Sequence, residues 1–210
     1  MKIGALKPND SRDLRSAIHP ETIEKLLVSV DKLIIGGAMA YPFLKAQGRE
    51  VGISLCSDED VTLATSILKA DKGNKITLPC DHIVSTEFGG KPEETDKTNI
   101  EANKMGLDIG PNTIALYGSV LKTAKTVLWN GPMGVFEMPN FAVGTQAVAK
   151  ALVEATEHGA TTIIGGGDSA SAIKQAGLSD KVSHVSTGGG ASLEYLEGKI
   201  LPGVSHLSDR

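Results

Sequence analysis

Two glycine triplets, each closing a β-branched run, constrain this chain more than any other feature. Residues 161–193 read T-T-I-I-G-G-G-D-S-A-S-A-I, a short polar connection, then V-S-H-V-S-T-G-G-G-A-S-L. Residues 161–164 and 182–186 have the pattern of buried strands, and a small-residue helix is expected directly after each triplet. Glycine at such a junction lets the backbone take positive φ and lets an anion approach bare N–H groups. The first turn of each helix adds unpaired N–H donors and the positive end of its dipole. On neighbouring parallel strands, two such turns would form a phosphate-binding rim along one edge of a sheet. Asp168, just after the first triplet, stands where a carboxylate would hold a phosphate-bound Mg²⁺. The same residue would serve equally well as an ordinary helix cap. A nucleotide-binding chain is the expectation.

Composition narrows the class. At 210 residues, with 40% hydrophobic and 22% charged side chains, the chain has the make-up of a globular α/β protein with a sizeable core. A net charge of −4 argues against nucleic acid or an anionic membrane surface as partner. No apolar run reaches the roughly 18 residues of a membrane span, and no charged-then-apolar leader is present, so a soluble cytoplasmic protein is expected. Cys56 and Cys80 lie far apart without metal-ligand spacing and read as idle thiols. The histidines likewise show no pairing at metal-ligand spacing.

Along the chain, residues 2–6 have the look of a short strand, and Pro20 suits the first position of a helix with Ile23, Leu26 and Leu27 on its apolar face. Residues 33–35 form a buried-strand pattern ending in Gly36-Gly37, with a helix near 38–46 after it. Residues 58–69 read as a helix whose leading acids complement its dipole. Strands are expected at 75–78 and 82–86, a polar surface excursion at 88–104, and a second glycine-punctuated edge at M-G-L-D-I-G-P, residues 105–111. Helices near 113–122 and 141–155 flank a buried strand at 126–129. Strands alternating with helices of this length predict a parallel sheet covered on both faces: a single doubly wound, Rossmann-like α/β domain. Ligands in such sheets sit beyond the carboxyl ends of the strands, where the glycine-rich junctions are expected to fall.

Three stretches carry a resemblance: W-N-G-P-M-G-V-F-E (129–137), I-I-G-G-G-D-S-A (163–170) and H-V-S-T-G-G-G-A-S-L-E (184–194), supported by K-L-I-I-G-G-A-M-A (32–40) and M-G-L-D-I-G-P (105–111). Together they resemble the carboxy-terminal, nucleotide-binding half of phosphoglycerate kinase, in the same order and over nearly the whole chain. The resemblance implies phosphoryl transfer between 1,3-bisphosphoglycerate and Mg-ADP in glycolysis, with Mg²⁺ as cofactor and ADP/ATP as substrate. It implies that Gly36, Gly37, Gly106 and Leu107 line the adenosine pocket, and that Asn130, Pro132, Val135 and Glu137 hold the ribose and its surroundings. It assigns Gly166, Gly167, Asp168 and Ser169 to the phosphates, with Asp168 on the metal. Gly188, Gly189 and Gly190 would present helix N–H groups to the phosphoryl group in flight. Such chemistry needs positioning, a metal and fixed donors more than covalent help.

Two departures accompany the resemblance. Family members are about twice as long, and the half with the basic 3-phosphoglycerate site has no counterpart here. A separate amino-terminal half-domain is therefore the expected partner of an otherwise monomeric chain, and activity alone is not expected. Ahead of Pro20 the family also carries a Gly-Gly-Ala-Lys turn and a second lysine. Ungapped counting puts Arg12-Asp13, Arg15 and His19 there, and neither replacement reproduces a compact ammonium at a phosphate. Residues 1–19 thus read as diverged or foreign, 20–207 as the nucleotide-binding domain and 208–210 as a tail. The first strand of the sheet is either missing or improvised from residues 2–6. Two other functions compete. Gly165-x-Gly167-x-x-Ala170 fits the loose nicotinamide-dinucleotide fingerprint, but the acid expected about 20 residues on is replaced by Ser186-Thr187. A non-catalytic remnant is the other.

Overall fold

The β-branched runs pair side by side, and the amphipathic segments between them cover the two faces so created. A computed structural model describes residues 2–5, 27–95, 97–186, 194 and 200–205. In chain order the strands are β1 (Lys2–Ala5), β2 (Lys32–Ile34), β3 (Ile76–Thr77), β4 (His82–Ser85), β5 (Glu93–Glu94), β6 (Met105–Ile109), β7 (Thr126–Asn130), β8 (Thr161–Gly165) and β9 (His184–Ser186). The helices are α1 (Ala40–Ala46), α2 (Asp58–Ala70), α3 (Pro111–Lys122), α4 (Val143–Glu157), α5 (Gly167–Gln175) and α6 (Pro202–Ser205).

Six strands form one parallel sheet in the order β3-β2-β1-β7-β8-β9. Successive residues of β2 and its exit point to opposite layers, as strand geometry requires. Leu33 and Ile35 join Phe43 of α1 and Ile67 of α2 in one buried cluster. Ile34 joins Tyr117 and Leu121 of α3, Leu152 of α4, Ile173 of α5, and Trp129 and Ile164 of the sheet in another. The parallel, doubly wound α/β class and single-domain organisation expected from the sequence are what the structure has. Of the two possibilities for the first strand, the second is realised. β1 lies between β2 and β7, with Ile3 in register with Lys32 on one side and Val127 on the other.

The structure departs from the sequence reading at residues 82–111. β4 and β6 do not extend the parallel sheet; they pair antiparallel, with β5 on the outer edge of β4. A parallel pair needs a crossover, usually a helix. Residues 86–104 contain Gly89, Gly90 and Pro92 and no described helix, so the chain doubles back. The glycine-punctuated β6 is therefore not itself one of the parallel strands. β9 starts later than the expected 182 because Ser183 trades hydrogen bonds with the Thr162 hydroxyl and amide instead of continuing the ladder. Of the expected helix beginning at Pro20, only its last residues fall among those described; Pro20, Ile23 and Leu26 lie outside them, as do Arg12, Asp13, Arg15 and His19.

Helix starts are secured in different ways. Ser57 and Asp60 form a reciprocal capping box at α2. For α3 the acceptor comes from elsewhere in the chain: the Asp81 carboxylate takes the N–H groups of Asn112 (2.8 Å) and Thr113 (2.7 Å). For α4 it is Asp108, on β6. α5 begins at Gly166, which has no side chain with which to cap it.

Candidate functional site

Parallel strands end on one edge of their sheet, and this edge carries a pocket of about 680 Å³. Its floor is Gly36-Gly37-Ala38, where the chain leaves β2. One wall is Met105-Gly106-Leu107 of β6, and the other is the turn after β7, Pro132 to Val135. Ile53, Leu55 and Phe88 stand at the opening, all more than half exposed, and Glu137 sits on the rim. The lining is overwhelmingly apolar, as expected of a slot for a flat, largely apolar ring. Close approach sets its shape. A Cβ on Gly106 would collide with the Tyr41 hydroxyl, and one on Gly36 with the Met133 sulfur.

Beside the pocket on the same edge, β8 is the neighbour of β7, with Asn130 in register with Gly165. The turn after β8 needs glycine: Gly166 has φ 92° and ψ 151°, conformations that L side chains avoid. Gly167 and Asp168, at the start of α5, are exposed. Ser169 is buried, and its hydroxyl accepts the N–H of Gly131 at 2.6 Å, tying α5 to the turn after β7. β9 ends at Ser186, paired with Gly165 and accepting the N–H of Gly166 at 3.1 Å. Gly188, Gly189 and Gly190 lie outside the described residues.

Of the residues singled out from sequence, Gly36, Gly37, Gly106, Leu107, Pro132, Val135 and Glu137 meet in the pocket. Asn130, Gly166, Gly167, Asp168 and Ser169 do not line it; they follow along the carboxyl ends of β7 and β8. Tyr41, Ile53, Leu55, Phe88 and Met133 also line the pocket, and none of them was singled out from sequence as a site residue. The available signal was slight: Phe88 is one of few aromatic residues, 4% of the chain, and opens a stretch expected at the surface. Among the described residues, no three His, Cys, Asp or Glu side chains gather as a metal site. A single exposed carboxylate such as that of Asp168 fits Mg²⁺ held mainly by phosphate oxygens and water, not an all-protein cage.

Buried ionisable groups lie at and behind the pocket, among them Asp108, His82 and the lining residue Tyr41. Burial pushes Asp108 up to about 7, against the pull of N–H donors from Gly144 and Ile109. Burial pushes His82 down to about 4, opposed by a hydrogen bond to the Thr98 backbone and by Asp81. Its Nε2 has no hydrogen-bond partner among the described residues. Tyr41 is raised by burial and by Asp108, and its ring lies 5.8 Å from that of His82.

The chain is similar to known proteins in sequence and in fold. A family model described as phosphoglycerate kinase matches residues 18–199. Phosphoglycerate kinase of Clostridium novyi (strain NT) is 58% identical over 192 residues, covering 90% of this chain and 48% of that protein. The enzyme of Lactobacillus delbrueckii subsp. lactis is 54% identical over 189 residues, covering 90% and 46%. The structure of phosphoglycerate kinase from Coxiella burnetii superposes with a TM-score of 0.85 at 40% identity, covering 97% of this chain and 51% of that one. The chain spans about half the length of the curated relatives it matches. No helix among the described residues is long and apolar enough to cross a membrane.

Proposed function

The chain belongs to the phosphoglycerate kinase family, and on that premise we propose that it is the Mg-ADP/ATP-binding half of a phosphoryl transfer between 1,3-bisphosphoglycerate and Mg-ADP. The observation that carries this is the sequence of features along one sheet edge. An apolar slot reaches from β2 to β7, and the glycine-built mouth of α5 stands on the next strand. A nucleoside in the slot, with Gly36, Gly37, Gly106 and Leu107 against the base, leaves its ribose near Asn130, Pro132, Val135 and Glu137. Its phosphates then run toward α5, where first-turn N–H groups and the helix dipole favour anions. Gly166 and Gly167 would offer backbone there; Ser169 would contribute its N–H, since its hydroxyl holds Gly131. Asp168 would hold Mg²⁺, which supplies charge neutralisation at the β- and γ-oxygens. Gly188, Gly189 and Gly190 would give N–H donors to the transferring group.

The 3-phosphoglycerate site falls to a complementary amino-terminal half, and this chain acts as a cytoplasmic monomer with respect to itself. On this reading 1–19 is a diverged or foreign segment, 20–207 the nucleotide-binding domain and 208–210 a tail; the family match over residues 18–199 supports the place of the domain. Calorimetric titration with ADP, with and without Mg²⁺, tests the binding claim; no heat of binding at millimolar nucleotide defeats it. A coupled kinase assay tests the rest: turnover is expected only when the complementary half is added, and robust turnover by the chain alone would overturn the division of labour.

A further inference from the structure

The wall of the pocket after β7 is held by its opposite wall and by two residues, Asp108 and Thr145, that do not line it. Val135 N–H donates to Leu107 O at 2.9 Å, linking the two walls directly. Met133 N–H (3.0 Å) and Gly134 N–H (3.2 Å) both donate to Thr145 Oγ1. Thr145 is buried in the first turn of α4. That turn is short of acceptors, because its N-cap, Ala142, makes no side-chain hydrogen bond. Asp108 provides one from β6: its Oδ2 accepts from Gly144 N at 2.7 Å, while Oδ1 accepts from Ile109 N at 2.9 Å. The fit around this carboxylate is tight on both sides. A Cβ on either Gly134 of the wall or Gly144 of the helix would strike it. Asp108 also directly follows Gly106-Leu107, the opposite wall.

These contacts form one relay, from β6 through Asp108 to the first turn of α4, and from Thr145 back to Met133 and Gly134. On the reading that the pocket takes the nucleoside of a nucleotide, we propose that Asp108 and Thr145 are positioning residues that set the separation of the pocket walls and thereby nucleotide affinity. Neither touches the ligand. Burying a carboxyl group is costly unless it is hydrogen-bonded, and here both oxygens accept backbone N–H groups, one of them from the helix behind the wall. The two sides of the relay are chemically distinct, which makes them separable. Thr145 offers a hydroxyl oxygen that serine keeps and valine lacks. Asp108 serves two N–H groups with two oxygens, of which asparagine keeps one.

Calorimetry with Mg-ADP on the full chain tests this, alongside denaturant stability for each variant. Thr145→Val strands two N–H groups in the wall, so its Kd should rise about tenfold or more, while Thr145→Ser stays within about threefold of wild type. Asp108→Asn should weaken binding by about threefold to tenfold, and it remains informative if Thr145→Val does not fold. Leu121→Ala, a core truncation on α3, a helix that gives the pocket no lining residue, should lose comparable stability and keep its affinity. Wild-type affinity in Thr145→Val or in Asp108→Asn overturns the relay. So does a loss that merely tracks stability across all four variants, Leu121→Ala and Thr145→Ser included. If wild type itself binds no Mg-ADP, the nucleotide reading falls and takes the relay with it; the relay alone falls only when wild type binds.

Discussion

Asp108 and His82, buried behind the pocket, pull the stability of the fold in opposite directions as pH changes. Asp108 is pushed up from 3.8 to about 7. Between those values the folded protein keeps a proton that the unfolded chain has released, so stability falls as pH rises through the window. His82 is pushed down from 6.5 to about 4. There the unfolded chain holds the extra proton, so stability rises with pH across that window and is lost as pH falls. Each group contributes a slope of at most about 1.4 kcal/mol per pH unit. Where the windows overlap the two oppose each other, and their joint contribution to the wild-type profile should be shallow. Asp108→Asn should uncover the rising slope and His82→Gln the falling one, read as urea midpoints from acid to neutral pH. Parallel profiles for the three proteins would mean that neither group titrates in the fold as its burial requires.

The turn between β8 and α5 is where backbone conformation, more than any side chain, makes the proposed phosphate site. Gly166 sits at φ 92° and ψ 151°, and forcing an L residue there costs roughly 1–3 kcal/mol. Gly166→Ala should lose that much stability and weaken Mg-ADP binding, because the first turn of α5 must shift. Gly167→Ala, whose added Cβ meets no atom within 4 Å, should stay near wild type in stability; thermal melts and calorimetry of the pair check both statements. An equally stable, equally tight Gly166→Ala would show that the turn tolerates another path. This element was legible from sequence, because T-T-I-I ending in glycines is a local signal for a buried strand meeting a helix. The small antiparallel sheet was not, since His82–Ser85 resembles any other β-branched strand and only the absence of a helix in 86–104 tells it to double back. β1 carries no turn signal of its own, and its place depends on pairing with strands 30 and 124 residues away. The apolar side of the pocket was hidden for a similar reason. Tyr41, Ile53, Phe88 and Met133 come from separate parts of the chain, and no local pattern marks them as neighbours.

At the scale of the molecule, the proposed site draws on β2, β6, β7 and β8, so a bound nucleotide would join both sheets and the helix layers on each face of the larger one. Hydrogen bonds from the turn after β7 and from α4 tie β6 to the larger sheet, and a ligand that bridges these segments binds the folded state and not the unfolded chain. Linkage then predicts stabilisation of about 2.7 kcal/mol when free ligand reaches roughly 100 times Kd. For a chain of this size that corresponds to a rise in Tm of about 5–10 °C. Mg-ADP should give the full shift, because charge on the phosphates is met both by the mouth of α5 and by the ion beside Asp168. ADP without Mg²⁺ should give less, and the deficit should shrink in Asp168→Asn, where the carboxylate that favours the ion is gone. NADH provides the contrasting arm, since the end of β9, where an acid for its adenosine-ribose hydroxyls would stand, is Ser186. A thermal scan with the three ligands therefore ranks the readings: a shift from NADH that exceeds the shift from Mg-ADP would remove the kinase assignment of this edge, whatever the fold it sits on.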